Sequence, residues 1–341
     1  MEKDLKSLTH TELERLAAGY KQPKYLAGYI FSAIQARGIT DISAITTLSK
    51  LLRAELAGEG YYISALKVAD KMTDPDGTMK YVFKLPGGGR VESVLLFDED
   101  RRTLCVSTQV GCEMGCVFCA TGRLGLARSL TAGEIVDQLN LVETSIENRV
   151  SNVVFMGMGE PLANYEATLK AVRILNHPAG RHIGIRHLTI STCGLAEGIE
   201  RLADEDVQPR LAISLNAPTD AIRQKLMPIA RKNTLARLFA AVELYQHKTR
   251  NRVTFEYCLL QGVNDTVLHV QMLVKRLRGI MCNVNLIEYN PHQGCNMKPS
   301  GKEAIERFAG VLRDAGIETT VRLKMGRTIK AACGQLGART K

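Results

Sequence analysis

Three cysteines within eight residues are the side chains of this chain best suited to inorganic chemistry. Cys112, Cys116 and Cys119 follow the pattern C-x3-C-x2-C, directly after an apolar run at 104–110 that predicts a strand. Thiolates at such close spacing are typical ligands of a 4Fe–4S cluster, and three of them leave one iron open to a substrate or cofactor. A structural zinc site normally has four ligands in C-x2-C pairs. The spacing therefore favours a cluster with an open iron and leaves zinc as the alternative.

The composition restricts the partners and the compartment of such a site. The chain has 341 residues and a formal net charge of +10, and excess Lys and Arg neutralise phosphates, so nucleic acid is the expected partner. A basic surface that is merely solvated is the alternative. The nine cysteines are unevenly spaced, which predicts thiol or metal chemistry rather than a disulfide framework. The sequence shows neither a signal segment nor an apolar run long enough for a membrane span, so we expect a cytoplasmic protein without membrane contact.

The elements that position the cysteines fall into four predicted regions. Residues 1–60 are predicted to form a small helical domain, which is a candidate for RNA contact, and 61–98 a β-hairpin extension leading into the next region. Over 99–323 strands alternate with helices of 10–15 residues, which predicts βαβ units and a parallel sheet. Counting from 104 gives six strands, so we expect an α/β fold with an open, partial (β/α)6 barrel. Residues 324–341 form a basic tail.

Polar residues stand at the ends of nearly all these predicted strands. In parallel barrels the active-site residues lie at the carboxyl ends of the strands. Isolated polar residues at strand ends are also ordinary turn chemistry. Their recurrence predicts a site for one polar ligand lying across the barrel mouth, formed by the cysteine loop, Gly159, Glu160, Ser191, Ser214, Asn216 and Asn290.

Two further residues allow a bland or a functional interpretation. Glu92 lies in a predicted strand among apolar residues, where an alternating Glu is usually solvated. Cys333 lies between small residues in the basic tail, where a lone Cys is usually buried filler. The neighbouring Arg327 and Lys330 would favour its thiolate form and hence a role as a nucleophile.

Several motifs together resemble one family. Segments 103–112 (TLCVSTQVGC), 156–161 (MGMGEP) and 331–336 (AACGQL) are similar to the RlmN/Cfr family of RNA adenine methyltransferases, within the radical S-adenosylmethionine (SAM) superfamily. The similarity runs over nearly the whole chain, from the helical N-terminal region to Cys333. It implies that the partial barrel is a radical SAM barrel.

The resemblance implies a role for each candidate residue. Cys112, Cys116 and Cys119 would hold one 4Fe–4S cluster, whose open iron chelates SAM. Cys333 would be the residue that becomes S-methylated, Cys105 would form a transient disulfide with it, and Glu92 would accept a proton. The positions implied to contact SAM are Gly159, Glu160, Ser191, Ser214, Leu215, Asn216 and Asn290.

The chemistry of the family explains why two cysteines and a base are needed. C2 of adenine is electron-poor and does not attack the SAM methyl group, so one SAM methylates a cysteine and a second supplies a 5′-deoxyadenosyl radical that takes hydrogen from that methyl group. The carbon radical adds to the base, and deprotonation with disulfide formation releases the RNA. The resemblance implies C2 methylation of an adenosine in large-subunit ribosomal RNA, with transfer RNA as a further substrate. It also implies a flavodoxin or ferredoxin as electron donor and a cytoplasmic monomer.

Two departures from the family pattern keep alternatives open. The chain has Arg327-Thr328 where the tail pattern G-x-D-I-x-A-A-C-G-Q-L carries an acidic residue, and Asn216 where His is common. Methylation at C8, or a paralogue with another RNA target, is therefore the alternative within the family. A non-catalytic iron–sulfur RNA-binding protein is the alternative from another class, and the presence of both Cys333 and Cys105 argues against it because such a protein needs neither.

Overall fold

The computed structural model describes residues 3–322 and 325–337. The α-helices in this part of the chain are α1 His10–Gly19, α2 Tyr25–Phe31, α3 Lys50–Gly58, α4 Ala132–Glu143, α5 Tyr165–Asn176, α6 Ala196–Leu202, α7 Asp220–Leu226, α8 Leu235–Thr249, α9 Val267–Leu277 and α10 Lys302–Asp314. The strands are β1 Lys67–Thr73, β2 Met79–Lys84, β3 Arg90–Asp98, β4 Arg101–Cys105, β5 Gln109–Cys112, β6 Gly125–Ser129, β7 Asn152–Phe155, β8 Leu188–Thr192, β9 Arg210–Ser214, β10 Val253–Leu259, β11 Cys282–Glu288 and β12 Glu318–Val321. Among the described residues, no helix is both long and apolar enough to cross a membrane.

The N-terminal region is helical, as predicted. α1 begins with a capping box in which the Thr9 side chain accepts from the Glu12 amide and the Glu12 carboxylate accepts from the Thr9 amide. The region packs on α4 through a buried ion pair between Lys6 and Asp137. The other carboxylate oxygen of Asp137 accepts from the Leu66 amide at 2.7 Å, so one buried acid joins the helical region to the barrel.

The main sheet confirms the α/β partial barrel. Its ten strands lie in the order β1-β2-β3-β4-β7-β8-β9-β10-β11-β12, and β4 and β7–β12 are parallel. Six helical crossovers join these seven parallel strands. The six predicted strands therefore correspond to the six strand–helix units. The last strand, β12, adds a seventh parallel strand. β1 and β12 end the sheet without pairing to each other, which makes the barrel open.

The region at 61–98 is more than the predicted hairpin. β1, β2 and β3 form a three-stranded antiparallel meander, and β3 pairs with β4 at the edge of the parallel sheet. Turns at 75–77 and 86–88 connect these strands. The extension is continuous with the barrel sheet because β4 has a free edge that β3 fills.

The predicted strand at 104–110 is wrong, because it divides into β4 and β5. Between them, the Ser107 hydroxyl donates to the Glu92 carbonyl at 2.6 Å and accepts from the Met158 amide at 2.8 Å. These bonds turn the chain across the end of β7, and β5 then pairs with β6 in a separate two-stranded sheet. β6 and α7 lie outside the predicted alternation of one strand with one helix.

Candidate active site

One cavity lies at the carboxyl ends of the parallel strands and gathers most of the predicted site residues. It is lined by Cys105, Cys112, Cys116, Cys119, Gly159, Glu160, Ser191, Ser214, Asn216 and Cys333. Glu92, Leu215 and Asn290 are not among its lining residues. The strand-end pattern in the sequence therefore predicts the position of the cavity correctly.

The cysteine loop is folded so that its three thiols reach this cavity. At its start, Gly111 has a φ of +79°, and a Cβ there would lie 1.9 Å from the Gly125 carbonyl oxygen. Only glycine allows β5 to approach β6 this closely. The amide of Cys119 then donates to the Cys116 carbonyl at 3.1 Å, and the Val117 amide donates to the carbonyl at the end of α7.

The loop thiols fit the donor set of an iron–sulfur cluster. All three face one cavity, and the thiols of Cys112 and Cys119 each raise the pKa of Cys116 further. Burial raises the pKa of Cys112 to about 12 and that of Cys116 still higher. The raised pKa of Cys112 and of Cys116 favours their protonated forms, so metal binding must release the protons of these two thiols. Across residues 3–322 and 325–337, no three His, Cys, Asp or Glu side chains surround a single-ion position.

Gly159 and Glu160 follow β7 and lie against Gln109, the first residue of β5, whose Oε1 accepts from the Glu160 amide at 2.9 Å. A Cβ on Gly159, whose φ is +103°, would lie 2.6 Å from Cβ of Gln109. The Glu160 carboxylate is 3 % exposed and accepts from the amides of Cys193 at 2.7 Å and Leu162 at 3.1 Å. Burial raises the pKa of Glu160 and these hydrogen bonds oppose the rise. The site thus has a rigid carboxylate on the wall next to the cysteine loop.

The residues after β9 are engaged mainly with the protein itself. Asn216 lines the cavity with a φ of +57°, a left-handed conformation that Asn tolerates, and its Oδ1 accepts from the Cys258 amide at 2.8 Å. The Leu215 amide donates to the Glu256 carbonyl and its own carbonyl accepts from Arg223 Nε. Both backbone groups of Leu215 are therefore used inside the wall.

Cys333 is exposed in the cavity, so the interpretation as buried filler is wrong. Its carbonyl accepts from Asn290 Nδ2 at 3.2 Å, so Asn290 holds the Cys333 segment. On the other side, the Ala120 amide donates to the Gly334 carbonyl at 2.8 Å, directly after the cysteine loop. These contacts place Cys333 beside the cysteine loop.

Cys105 and Cys333 both carry free thiols and line the same cavity. Although Cys333 has accessible surface inside the cavity, protein atoms surround the thiol, and this burial raises its pKa to about 11. Burial raises the pKa of Cys105 to about 12. The Arg322 guanidinium opposes both rises, so it is a cation that favours thiolate at either cysteine.

Glu92 is fully buried, so the expectation of a solvated strand residue is wrong. All side chains at 91–95 are buried, because both faces of β3 are covered. Glu92 Oε2 accepts from the Gly337 amide at 2.8 Å, and Oε1 lies 3.7 Å from Lys80 Nζ. Lys80 Nζ also donates to the Lys330 carbonyl at 3.2 Å. The Lys80–Glu92 pair therefore holds the Cys333 segment on both sides of the cysteine.

The departure at Thr328 has a structural counterpart in the meander. The amide and the hydroxyl of Thr328 donate to Asp74 Oδ2 at 2.8 and 2.6 Å, and the Gly326 amide donates to Asp76 Oδ2 at 2.8 Å. An acidic residue at 328 would place its carboxylate against that of Asp74. In this chain the carboxylate of this contact belongs to Asp74 in the meander, and Thr328 supplies the two hydrogen-bond donors.

Two charged residues of the cavity wall were missed by the sequence reasoning. Glu256 on β10 and Arg322 after β12 both line the cavity. A signal for Glu256 exists, because Thr254, Glu256 and Cys258 alternate with buried apolar residues and share one face of β10. Arg322 carries no comparable signal, because the sequence shows it only as one of many basic residues.

Comparisons with known proteins agree with this geometry. Residues 106–271 match the Radical SAM superfamily. The chain is 44 % identical to a protein of Symbiobacterium thermophilum named "Probable dual-specificity RNA methyltransferase RlmN", over 99 % of this chain and 92 % of that relative. A Thermotoga maritima protein of the same name is 43 % identical, over 98 % and 97 %. The crystal structure of a radical SAM methyltransferase from Sphaerobacter thermophilus superposes with a TM-score of 0.91 at 43 % identity, covering 99 % of this chain and 100 % of that one.

Proposed function

Because the chain belongs to the RlmN family of radical SAM RNA methyltransferases, we propose that it methylates C2 of an adenosine in RNA through an S-methylcysteine on Cys333. The proposed substrates are large-subunit ribosomal RNA and transfer RNA, in keeping with the words "dual-specificity" in the names of the relatives. Their name RlmN is also the observation that favours C2 over C8.

The observation that carries the proposal is that all five cysteines singled out in the sequence line one cavity, together with Cys193 and Cys258. Cys112, Cys116 and Cys119 would hold a 4Fe–4S cluster, and Cys333 and Cys105 face the same space. With SAM bound, the cluster would supply reductive cleavage to a 5′-deoxyadenosyl radical, which is chemistry that no side chain provides. A protein that merely bound a cluster and RNA would need neither Cys333 nor Cys105.

The remaining residues have roles in binding and proton transfer. We assign the SAM contacts to Gly159, Glu160, Ser191, Ser214, Leu215, Asn216 and Asn290. Cys333 would accept a methyl group as thiolate, and Cys105 would later attack its sulfur to release the RNA. Glu92 would accept the proton lost from the base. Its Oε1 accepts no hydrogen bond from any described residue, so this oxygen has an acceptor position available for the proton.

Several expectations from the sequence stay predictions. These are the division at 1–60, 61–98, 99–323 and 324–341, a flavodoxin or ferredoxin as electron donor, a monomeric state and a cytoplasmic location. RNA binding by the helical domain is supported by its exposed basic side chains, among them Lys21, Lys24 and Lys50.

The test compares three cysteine variants of the reconstituted protein. Cys333→Ala should abolish RNA methylation while iron content is retained, because only the methyl acceptor is lost. Cys105→Ala should leave RNA covalently attached to the protein, because the resolving thiol is lost. Cys282→Ala is the matched control, since Cys282 is a free thiol outside the cavity lining. Methylation by Cys333→Ala at the wild-type rate would refute the proposal.

A further inference from the structure

Glu256 is a buried carboxylate in the wall of the active-site cavity with an unused hydrogen-bond acceptor. Its side chain lines the cavity and the residue is 5 % exposed. Oε1 accepts from Asn285 Nδ2 at 3.0 Å. Oε2 accepts no hydrogen bond from the described residues, and the nearest cation, Arg322 Nη1, stands 3.8 Å away, which is beyond hydrogen-bond length.

Glu256 Oε2 should gain a hydrogen-bond donor when a ligand fills the cavity. A buried acceptor without a hydrogen bond destabilises the structure, and the cost is larger for a charged group. Burial raises the pKa of Glu256, whereas Arg322 and Asn285 oppose the rise. A donor brought in by a ligand would satisfy Oε2 and favour the carboxylate in the same way.

The position of Glu256 indicates which ligand would bring that donor. In the parallel register Glu256 stands beside Ser214 on β9 and Asn285 on β11. Paired residues of neighbouring strands point to the same face of a sheet, so Ser214, Glu256 and Asn285 form one polar row across the barrel interior. Ser214 is a proposed SAM contact, and Cys333 lies within electrostatic reach of Glu256. The row thus lies between the expected site of the SAM adenosine, at Ser214, and the expected site of the target adenosine, at Cys333.

We propose that Glu256 recognises an adenosine group in the cavity by accepting a hydrogen bond at Oε2 from one of its N–H or O–H donors. The donors that an adenosine offers are the 6-amino group and the ribose hydroxyls. Both SAM and the target nucleotide contain this group. The inference rests on the proposed function, since that function is the reason for expecting adenosine in the cavity.

The test replaces only the acceptor. Glu256→Gln keeps the shape and the contact with Asn285, but turns the second position into an NH₂ donor. The matched control is Glu318→Gln, which makes the same charge change at an exposed residue of β12. Loss of a hydrogen bond to a charged group predicts about 10- to 100-fold weaker binding in the first variant and none in the control.

Equilibrium binding of S-adenosylhomocysteine, measured without RNA, is the first readout. Weaker binding in Glu256→Gln assigns the contact to SAM. Unchanged binding with a 10- to 100-fold higher KM for RNA assigns it to the target adenosine. Binding and KM that both match the control overturn the inference. Wild-type protein that binds no S-adenosylhomocysteine overturns the proposed function and this inference together.

A ligand-side measurement covers the case in which Glu256→Gln does not fold. Wild-type protein is titrated with 2′-deoxy, 3′-deoxy and 6-desamino forms of S-adenosylhomocysteine. RNA with a 2′-deoxy or 6-desamino change at the target adenosine is assayed for KM, because the 3′-oxygen of that nucleotide is esterified and donates no hydrogen bond. Removal of the donor that bonds to Glu256 should weaken binding of either S-adenosylhomocysteine or RNA by the same 10- to 100-fold. Equal affinities across both series would overturn the inference.

Discussion

Lys80 and Glu92 form a buried ion pair, and each of the two charges should destabilise the fold once the other has been removed. Glu92 is 0 % and Lys80 is 1 % exposed. Lys80→Met leaves a carboxylate buried without its nearest cation, and Glu92→Gln leaves the ammonium group buried beside a neutral amide. Removal of one partner of a buried ion pair costs about 3–5 kcal/mol of unfolding free energy.

The double variant separates this account from simple loss of contacts. Lys80→Met/Glu92→Gln removes both charges, so its loss should be far smaller than the roughly 6–10 kcal/mol sum of two such single losses. The assay is urea unfolding under anaerobic, reducing conditions, followed by circular dichroism. The control is Lys67→Met at an exposed position of β1, which should change stability by less than about 0.5 kcal/mol. Additive losses in the double variant would refute the reasoning.

Three further predictions concern the cysteine loop, the tail contact and a buried cation. Gly111→Ala should lower the iron content of reconstituted protein, because its Cβ would lie 1.9 Å from the Gly125 carbonyl oxygen; full iron content would contradict this. Hydrogen bonds from Thr328 lower the pKa of Asp74, so their stabilisation is present at neutral pH and lost as pH falls through that lowered pKa. Thr328→Val should therefore lower the urea midpoint at pH 7 and approach the wild-type value in acid, and a pH-independent difference would contradict it. Arg223 is 0 % exposed and donates to three backbone carbonyls. Arg223→Met should leave those acceptors unsatisfied and lower the free energy of unfolding by about 3 kcal/mol or more, and a urea midpoint within error of wild type would contradict this.

The sequence predicted the parts of this protein that obey a period or a motif. Strand–helix alternation located the parallel strands, and the polar residues at their ends located the cavity. It did not predict that β3 is covered on both faces, because alternation alone treats Glu92 as solvated, and the second face is covered by residues distant in sequence, near Gly337. Nor did the basic composition of the tail indicate that Thr328 is held by an acidic turn some 250 residues earlier. Such contacts depend on tertiary packing, which no local pattern encodes.

The central claim is methyl transfer to adenosine through Cys333. The most direct measurement supplies the anaerobic, reconstituted protein with reductant, SAM deuterated in its methyl group and unmodified ribosomal RNA, and then separates the nucleosides of the digested RNA by mass spectrometry. The account predicts deuterium in 2-methyladenosine, and none with Cys333→Ala. Deuterium in 8-methyladenosine would contradict the assignment to C2. Cleavage of SAM by an intact cluster with no labelled adenosine would contradict the claim itself.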